Sequence, residues 1–261
     1  MKKIIDTIKN IWAIEELRNR LLFTLAILAI YRFGSFVVIP GVDPAQLKAL
    51  QDQTSDGLLG LLNMFTGGAF SQASIFALGI MPYISASIVV QLLGMAIPYF
   101  QKLQKEGESG RRKINSITRY LTILITGGQA PGYIANLKAT LPETAFLLPP
   151  GSFWASSIII LVTGTMFVMW LGEKITDRGI GNGISLLIMI GIIAGLPQSL
   201  TQEFVAALGS AGGGLVIFMV EMLALLIVIM ISILLVQGTR RIPVQYAKRV
   251  VGNKQYGGVR Q

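Results

Sequence analysis

The chain has 261 residues, 52% of them hydrophobic and 13% charged, with a mean hydropathy of +0.64; a soluble domain carries about 25% charged residues, so the composition points to a membrane protein. Cysteine and histidine are both missing, which excludes disulfides, zinc sites built on those ligands, Ser-His-Asp triads and cysteine nucleophiles. The formal charge of +9 fits nucleic-acid binding or basic loops beside membrane spans, and its distribution must decide.

The first 20 residues are polar and no small-residue cleavage site follows a short apolar core, so no signal peptide is expected. Within them Ile4, Ile5, Ile8, Ile11 and Trp12 recur at helical spacing opposite Lys2, Lys3, Asp6 and Lys9. This predicts an amphipathic helix lying on the membrane surface or on the protein's own cytosolic face. Apolar runs then follow at 21–39, 74–97, 117–137, 152–171, 179–196 and 215–236, six candidate spans, the third diluted by Thr118, Arg119, Thr122, Thr126, Gln129 and Pro131. With the N-terminus cytoplasmic, the inner segments hold 19 of the 22 basic residues. The outer loops keep only Lys48 and Lys138 against Asp43, Asp52, Asp56, Glu143 and Glu203. This asymmetry predicts six spans with both termini inside.

Between the first two spans, Leu58-Leu59-Gly60-Leu61-Leu62-Asn63-Met64-Phe65 is apolar but too short to cross a bilayer. It reads as a re-entrant helix or as an amphipathic surface loop. The second span opens Gly79-Ile80-Met81-Pro82-Tyr83-Ile84-Ser85, and Pro82 predicts a bend about one turn upstream. Ser85 and Gln91 bring polar groups into this span; a helix partner or an aqueous path explains Gln91 better than lipid does. The fifth span starts Gly179-Ile180-Gly181-Asn182-Gly183-Ile184. No strand precedes these glycines and no GxxxxGK[ST] is present, so close helix packing is expected rather than phosphate binding. Ile184 and Ile188 repeat the spacing of Ile80 and Ile84, as core packing or as two walls of a narrow apolar constriction. Arg32 and Glu221, charges deep inside spans, are expected to find partners or water, to snorkel, or to meet a helix outside the chain. Gly107-Glu108-Ser109-Gly110 matches a bare GxSG but lies in a charged loop of a chain without histidine, and is set aside. The basic stretches 102–119 and 240–260, interleaved with Tyr99, Tyr120, Tyr246 and Tyr256, are topogenic or dock an acidic or RNA-rich partner.

Several uninterrupted runs resemble the SecY family of protein-translocon channel subunits: ASIFALGIMPYISAS at 73–87, KEGESGRRK at 105–113, TGTMF at 163–167, WLGE at 170–173, DRGIGNGIS at 177–185 and RRIPVQYAKR at 240–249. The likeness runs nearly end to end and is weakest at 130–150 and 197–214. It implies an all-α polytopic fold of ten spans in two inverted halves, of which this chain holds six and a short re-entrant plug helix. The implied division is a cytosolic segment 1–20, a first five-helix half 21–197 with the plug at about 57–66, an outer loop and sixth helix 198–237, and the start of a basic cytosolic loop 238–261, as in an N-terminal portion of a longer protein.

By position the resemblance implies pore-ring roles for Ile80, Ile84, Ile184 and Ile188, and plug roles for Leu58, Leu59, Leu61, Leu62, Met64 and Phe65. Lateral-gate roles fall to Ser85 and Gln91, and ribosome or motor docking to Lys105, Arg111, Arg112, Lys113, Arg240, Arg241, Lys248 and Arg249. It implies as partners SecE, SecG, the SecA motor ATPase, the ribosome, signal sequences, secretory precursors and the lipid bilayer, in the plasma (inner) membrane. No cofactor, no metal and no enzymatic chemistry are implied. The rival class, a secondary transporter for a small solute, needs polar ligands at mid-membrane, and Ser85, Gln91 and Asn182 supply few and uncharged ones.

Overall fold

The computed structural model describes residues 12–54, 57–209 and 213–239, with the backbone of short strand segments between 244 and 260. The chain divides into two compact units, Met1–Pro197 and Gln198–Gln261. Helices stand at all six places where a span is expected, and helix dominates throughout. Among the described residues three helices are long and apolar enough to cross a membrane, or four if one bent pair is counted as a single span. The helices at 15–34 and 108–140 have the length but are diluted by charged and hydroxyl residues.

Helix α1 (Glu15–Gly34) carries Glu15 and Glu16 in its first turn and Arg32 in its last, charges that complement the helix dipole. It stops five residues short of the expected end of the run. Gly34 abuts the Phe76 ring, where a Cβ has no room, and the chain leaves the helix to pair with a later segment. Ile39 N–H donates to the Ala73 carbonyl at 2.8 Å and Ile75 N–H to that of Val37 at 2.9 Å. Asp43 caps a 3-10 turn, Pro44–Gln46, by accepting from Ala45 N–H at 3.0 Å. The short helices α2 (Lys48–Gln53) and α3 (Gly57–Phe65) follow.

Residues 66–80 are a succession of turns, with Gly67, Gly68, Ala73 and Gly79 at positive φ. The second expected span therefore begins as a helix only at Met81 (α4, Met81–Ala96), seven residues late. Pro82 sits in its first turn, where its missing N–H leaves no carbonyl unpaired, so it starts the helix instead of bending it. At Ile97 the chain turns by 99° into α5 (Pro98–Lys105). Gly107, at φ +70°, then starts the 33-residue α6 (Glu108–Thr140), and α7 (Pro150–Arg178) runs back against it. Along α6 the buried Thr118, Thr122 and Thr126 each donate their hydroxyl to the carbonyl four residues earlier.

Two apolar clusters make the core of the first unit. One gathers Leu50, Phe70, Ile134, Leu137, Phe153 and Leu161. The other joins α1 to α4, α7 and α8 (Gly183–Gly209) through Ile27, Tyr31, Phe76, Ile80, Val168 and Leu187. In the second unit α9 (Gly214–Gln237) exposes its apolar side chains, and two small antiparallel ladders pair Val244–Gln245 with Val259–Arg260 and Arg249–Val251 with Lys254–Tyr256. The amphipathic stretch at 4–11 and the glycine-rich residues 210–212 lie outside the described residues.

Candidate functional site

The four isoleucines singled out by spacing come from two helix starts. Ile80 is the residue before α4, and Ile84 N–H donates to its carbonyl at 3.1 Å, which stacks the two side chains one turn apart. Ile184 and Ile188 open α8. Their position is set by the turn after α7, where Gly181 holds φ +68° and Asn182 caps α8 through Oδ1, accepting from Ile184 N–H at 3.1 Å and Ser185 N–H at 3.4 Å. Gly183 N–H donates to Thr176 Oγ1 at 2.9 Å, and Ile180 N–H to Thr24 Oγ1 at 3.2 Å, so α1 and α7 both grip the turn. A Cβ on Gly183 would lie 2.6 Å from Ile175 Cβ. Gly179 and Gly183 thus serve close packing, and Gly181 the left-handed turn between them.

All four isoleucines belong to one apolar cluster: Ile80 is buried in it, while Ile84, Ile184 and Ile188 pack against it half-buried. The apolar side chains gathered there carry no hydrogen-bonding group apart from the Tyr31 and Tyr83 hydroxyls, and the Thr24 and Thr176 hydroxyls at the neighbouring turn are taken up by backbone N–H groups. Chemically, such an apolar cluster can exclude water and ions, and its side chains offer no group for acid–base or nucleophilic work.

Helix α3 lies over a cavity of about 360 Å³ lined by Leu59, Leu62 and Thr66 from its own side, Ser85 from α4, and Gln129 and Asn136 from α6. Leu59 packs against the first core cluster, while Leu61, Met64 and Phe65 are exposed. The side chain of Leu58 lies outside the described residues. The C-terminus of α3 is tightly bonded. Thr66, 2% exposed, donates through Oγ1 to the Asn63 carbonyl at 3.1 Å and accepts from Phe70 N–H at 3.2 Å. Asn63 Oδ1 accepts from Ser71 N–H at 3.0 Å. Arg32 donates from Nη1 to the Gly67 carbonyl at 2.5 Å, with its guanidinium 4.8 Å from the Phe36 ring centroid. Arg32, expected to find a partner or water, to snorkel or to meet a helix outside the chain, is thus partnered at this junction.

Ser85 and Gln91 do not meet. Ser85 faces the cavity, whereas Gln91 is exposed on α4 and donates to Ser87 Oγ, one turn back in its own helix, at 3.2 Å. Lys105, Arg111, Arg112 and Lys113 are exposed around the junction of α5 and α6. Arg112 pairs with Glu108 at 2.6 Å and Lys113 with Glu106 at 3.6 Å. Arg240, Arg241, Lys248 and the side chain of Arg249 lie outside the described residues. Glu221 is exposed on α9.

Three contacts are not foreshadowed by the sequence reasoning. Arg119 on α6 makes a two-point ion pair with Glu173 on α7, at 3.2 and 2.6 Å. Tyr133 donates to the Phe70 carbonyl at 2.9 Å, tying α6 to the turns after α3. Arg32 reaches Gly67. Arg119 in the diluted third run and Glu173 just past the fourth are opposite charges at one membrane side and so a signal for the first, but the other two join a side chain to a backbone carbonyl, and nothing in composition marks which carbonyl is in reach.

A sequence model of the SecY family matches residues 74–261. The chain is 46% identical over 246 residues to the protein translocase subunit SecY of Rickettsia bellii, covering 94% of this chain and 57% of that protein. It is 46% identical over 245 residues to the protein translocase subunit SecY of Escherichia coli K12, covering 92% of this chain and 54% of that one. The chain thus spans little more than half the length of these curated relatives. Among solved structures, that of a SecY protein described for a plug domain that stabilises the closed state of its channel aligns with a TM-score of 0.51 at 20% identity, covering 92% of this chain and 52% of that one. That likeness bears on the fold alone.

Proposed function

The chain belongs to the SecY family and is a multi-pass membrane protein, and from this we propose that it forms the N-terminal part of a protein-conducting channel. The channel passes unfolded secretory polypeptides across the membrane and releases signal anchors sideways into lipid. Ile80, Ile84, Ile184 and Ile188 supply part of the pore ring, and the rest comes from helices beyond these 261 residues. Helix α3, with Leu58, Leu59, Leu61, Leu62, Met64 and Phe65, is the plug. Ser85 and Gln91 lie on the gate side of α4. The exposed Lys105, Arg111, Arg112 and Lys113, with Arg240, Arg241, Lys248 and Arg249, dock the ribosome or the SecA motor. SecE and SecG complete the assembly, in the plasma membrane with the N-terminus cytoplasmic.

The observation that carries this reading is the convergence of the four isoleucines, from two separate helix starts, on one cluster poor in hydrogen-bonding groups. Mechanism follows from that chemistry. An apolar collar gives a passing chain no bonds to break and recloses without leaving an ion path. Work must come from outside, from a translating ribosome or an ATP-driven motor pressing on the basic loops. A signal sequence that binds the open gate more tightly than the closed one shifts the equilibrium between them.

The test uses the lack of native cysteine. Single cysteines at Ile84, Ile188 and the exposed control Val228 are placed in the assembled channel and challenged with a stalled precursor bearing one cysteine. Disulfides at the two ring positions and none at Val228 are expected. No disulfide at any position in a correctly inserted channel would sink the pore assignment.

A further inference from the structure

Resting on the reading of α3 as a plug, we propose that Arg32 is a positioning residue: a cationic latch that fastens the C-terminal pivot of α3 to the first span and so sets how readily the plug leaves. Three elements meet at one point here. Gly67, at φ +67°, comes from the end of α3, Arg32 from α1 and Gly191 from α8. A Cβ on Gly67 would lie 2.9 Å from Gly191 Cα and 3.3 Å from Arg32 Nη1, and one on Gly191 would lie 3.1 Å from the Phe65 carbonyl oxygen. The junction therefore admits backbone and one guanidinium and little else.

The chemistry suits a latch. Arg32 bonds the Gly67 carbonyl, two residues past the last residue of α3, a charge-assisted contact placed just beyond the negative end of the helix dipole, which also favours a cation. Phe36 seats the guanidinium from its face. Within this chain, contacts along the helix itself are fewer: Leu61, Met64 and Phe65 are exposed and a cavity lies beneath Leu59 and Leu62. Within this chain the plug is thus pinned at its pivot more than along its length. Gly67 and Gly68, both left-handed, place the flexible joint beside the pin. Replacing Arg32 by an uncharged residue removes a charge-assisted contact to the Gly67 carbonyl, so the substitution is expected to shift plug release by about tenfold or more.

The experiment measures passive ion leak through the assembled channel in proteoliposomes, with no precursor present. The variants are R32Q, R32K, F36L, a deletion of residues 57–66, and R32Q combined with that deletion; limited proteolysis checks assembly. The latch predicts a leak about tenfold above wild type for R32Q, recovery to within about twofold for R32K, an intermediate rise for F36L, and no increment from R32Q once the plug is deleted. Wild-type leak in R32Q and F36L, with a leaking plug deletion, overturns the latch and leaves the plug reading standing. Leak from R32Q that adds to the deletion's own also overturns it, because the effect then lies in span packing. A deletion with no leak overturns the plug reading itself.

Discussion

Alanine substitutions at Gly67, Gly68 and Gly191 separate backbone conformation from contact at the pivot of α3. Gly68 sits at φ +87° with nothing within 4 Å of the place a methyl would take, so Gly68→Ala meets only the left-handed penalty, about 1–2 kcal/mol. At about 1.4 kcal/mol per decade this raises the population of released plug roughly 5- to 30-fold. Gly67→Ala incurs the same penalty at φ +67° and also drives a methyl to 2.9 Å from Gly191 Cα, well inside the usual carbon contact of about 3.5–4.0 Å. Overpacking of this kind adds about 1–3 kcal/mol. Gly191→Ala keeps ordinary helical backbone, and its contacts of 3.1 Å to the Phe65 oxygen and 3.3 Å to Gly67 N are offset by alanine's helix propensity, worth about 1 kcal/mol. The expected order of resting ion leak in proteoliposomes is G67A, then G68A, then G191A nearest wild type, with thermal unfolding run in parallel to detect general loss of fold. Equal leak from G67A and G68A would show that the contact with α8 is irrelevant. Wild-type leak from all three would refute a pivot that holds the channel shut.

Further expectations concern the frame. Asn182→Ala removes the cap of α8 and is expected to lower stability by about 1 kcal/mol, with Asn182→Asp close to wild type, read as the midpoint of thermal unfolding in detergent. Gly183→Ala forces a methyl to 2.6 Å from Ile175 Cβ and is expected to destabilise by about 2 kcal/mol or more, visible as increased protease cleavage at the turn between α7 and α8. Glu173→Gln breaks the pair with Arg119, whose side chains are 22% and 48% exposed. Screening limits its effect to about 1 kcal/mol or less, and the difference from wild type should shrink as salt is raised.

How far the residues alone foretell this arrangement differs from place to place. Helix content follows from the length of the apolar runs, and the pairing of Ile80 with Ile84 and of Ile184 with Ile188 from their fourfold spacing. Helix ends are less legible. The run at 74–80 is apolar enough for a span, yet Gly79 and the hydrogen bonds of Val37 and Ile39 hold it in turns, an outcome decided by a segment some 35 residues away in sequence. Pro82 suggests a bend because periodicity does not mark where a helix begins within an apolar run. Gln91 and Arg32 carry the same sequence signal, a polar group in an apolar span. One bonds within its own helix and the other joins two elements, because partner choice depends on tertiary neighbours.

The threonine stripe of α6 has a mechanical consequence. Thr118, Thr122 and Thr126 each turn their one proton back onto their own helix, so the hydroxyls of this buried face make no directed bond from α6 to a neighbour. What remains along the stripe is methyl contact, which tolerates small sliding far better than a cross-linked polar seam. The Arg119–Glu173 pair near one end ties α6 to α7, like a hinge pin beside a greased face. A small shift of α6 therefore breaks no hydrogen bond along the stripe itself, and its limits are set by the Arg119–Glu173 pair and by the bond from Tyr133 to the Phe70 carbonyl.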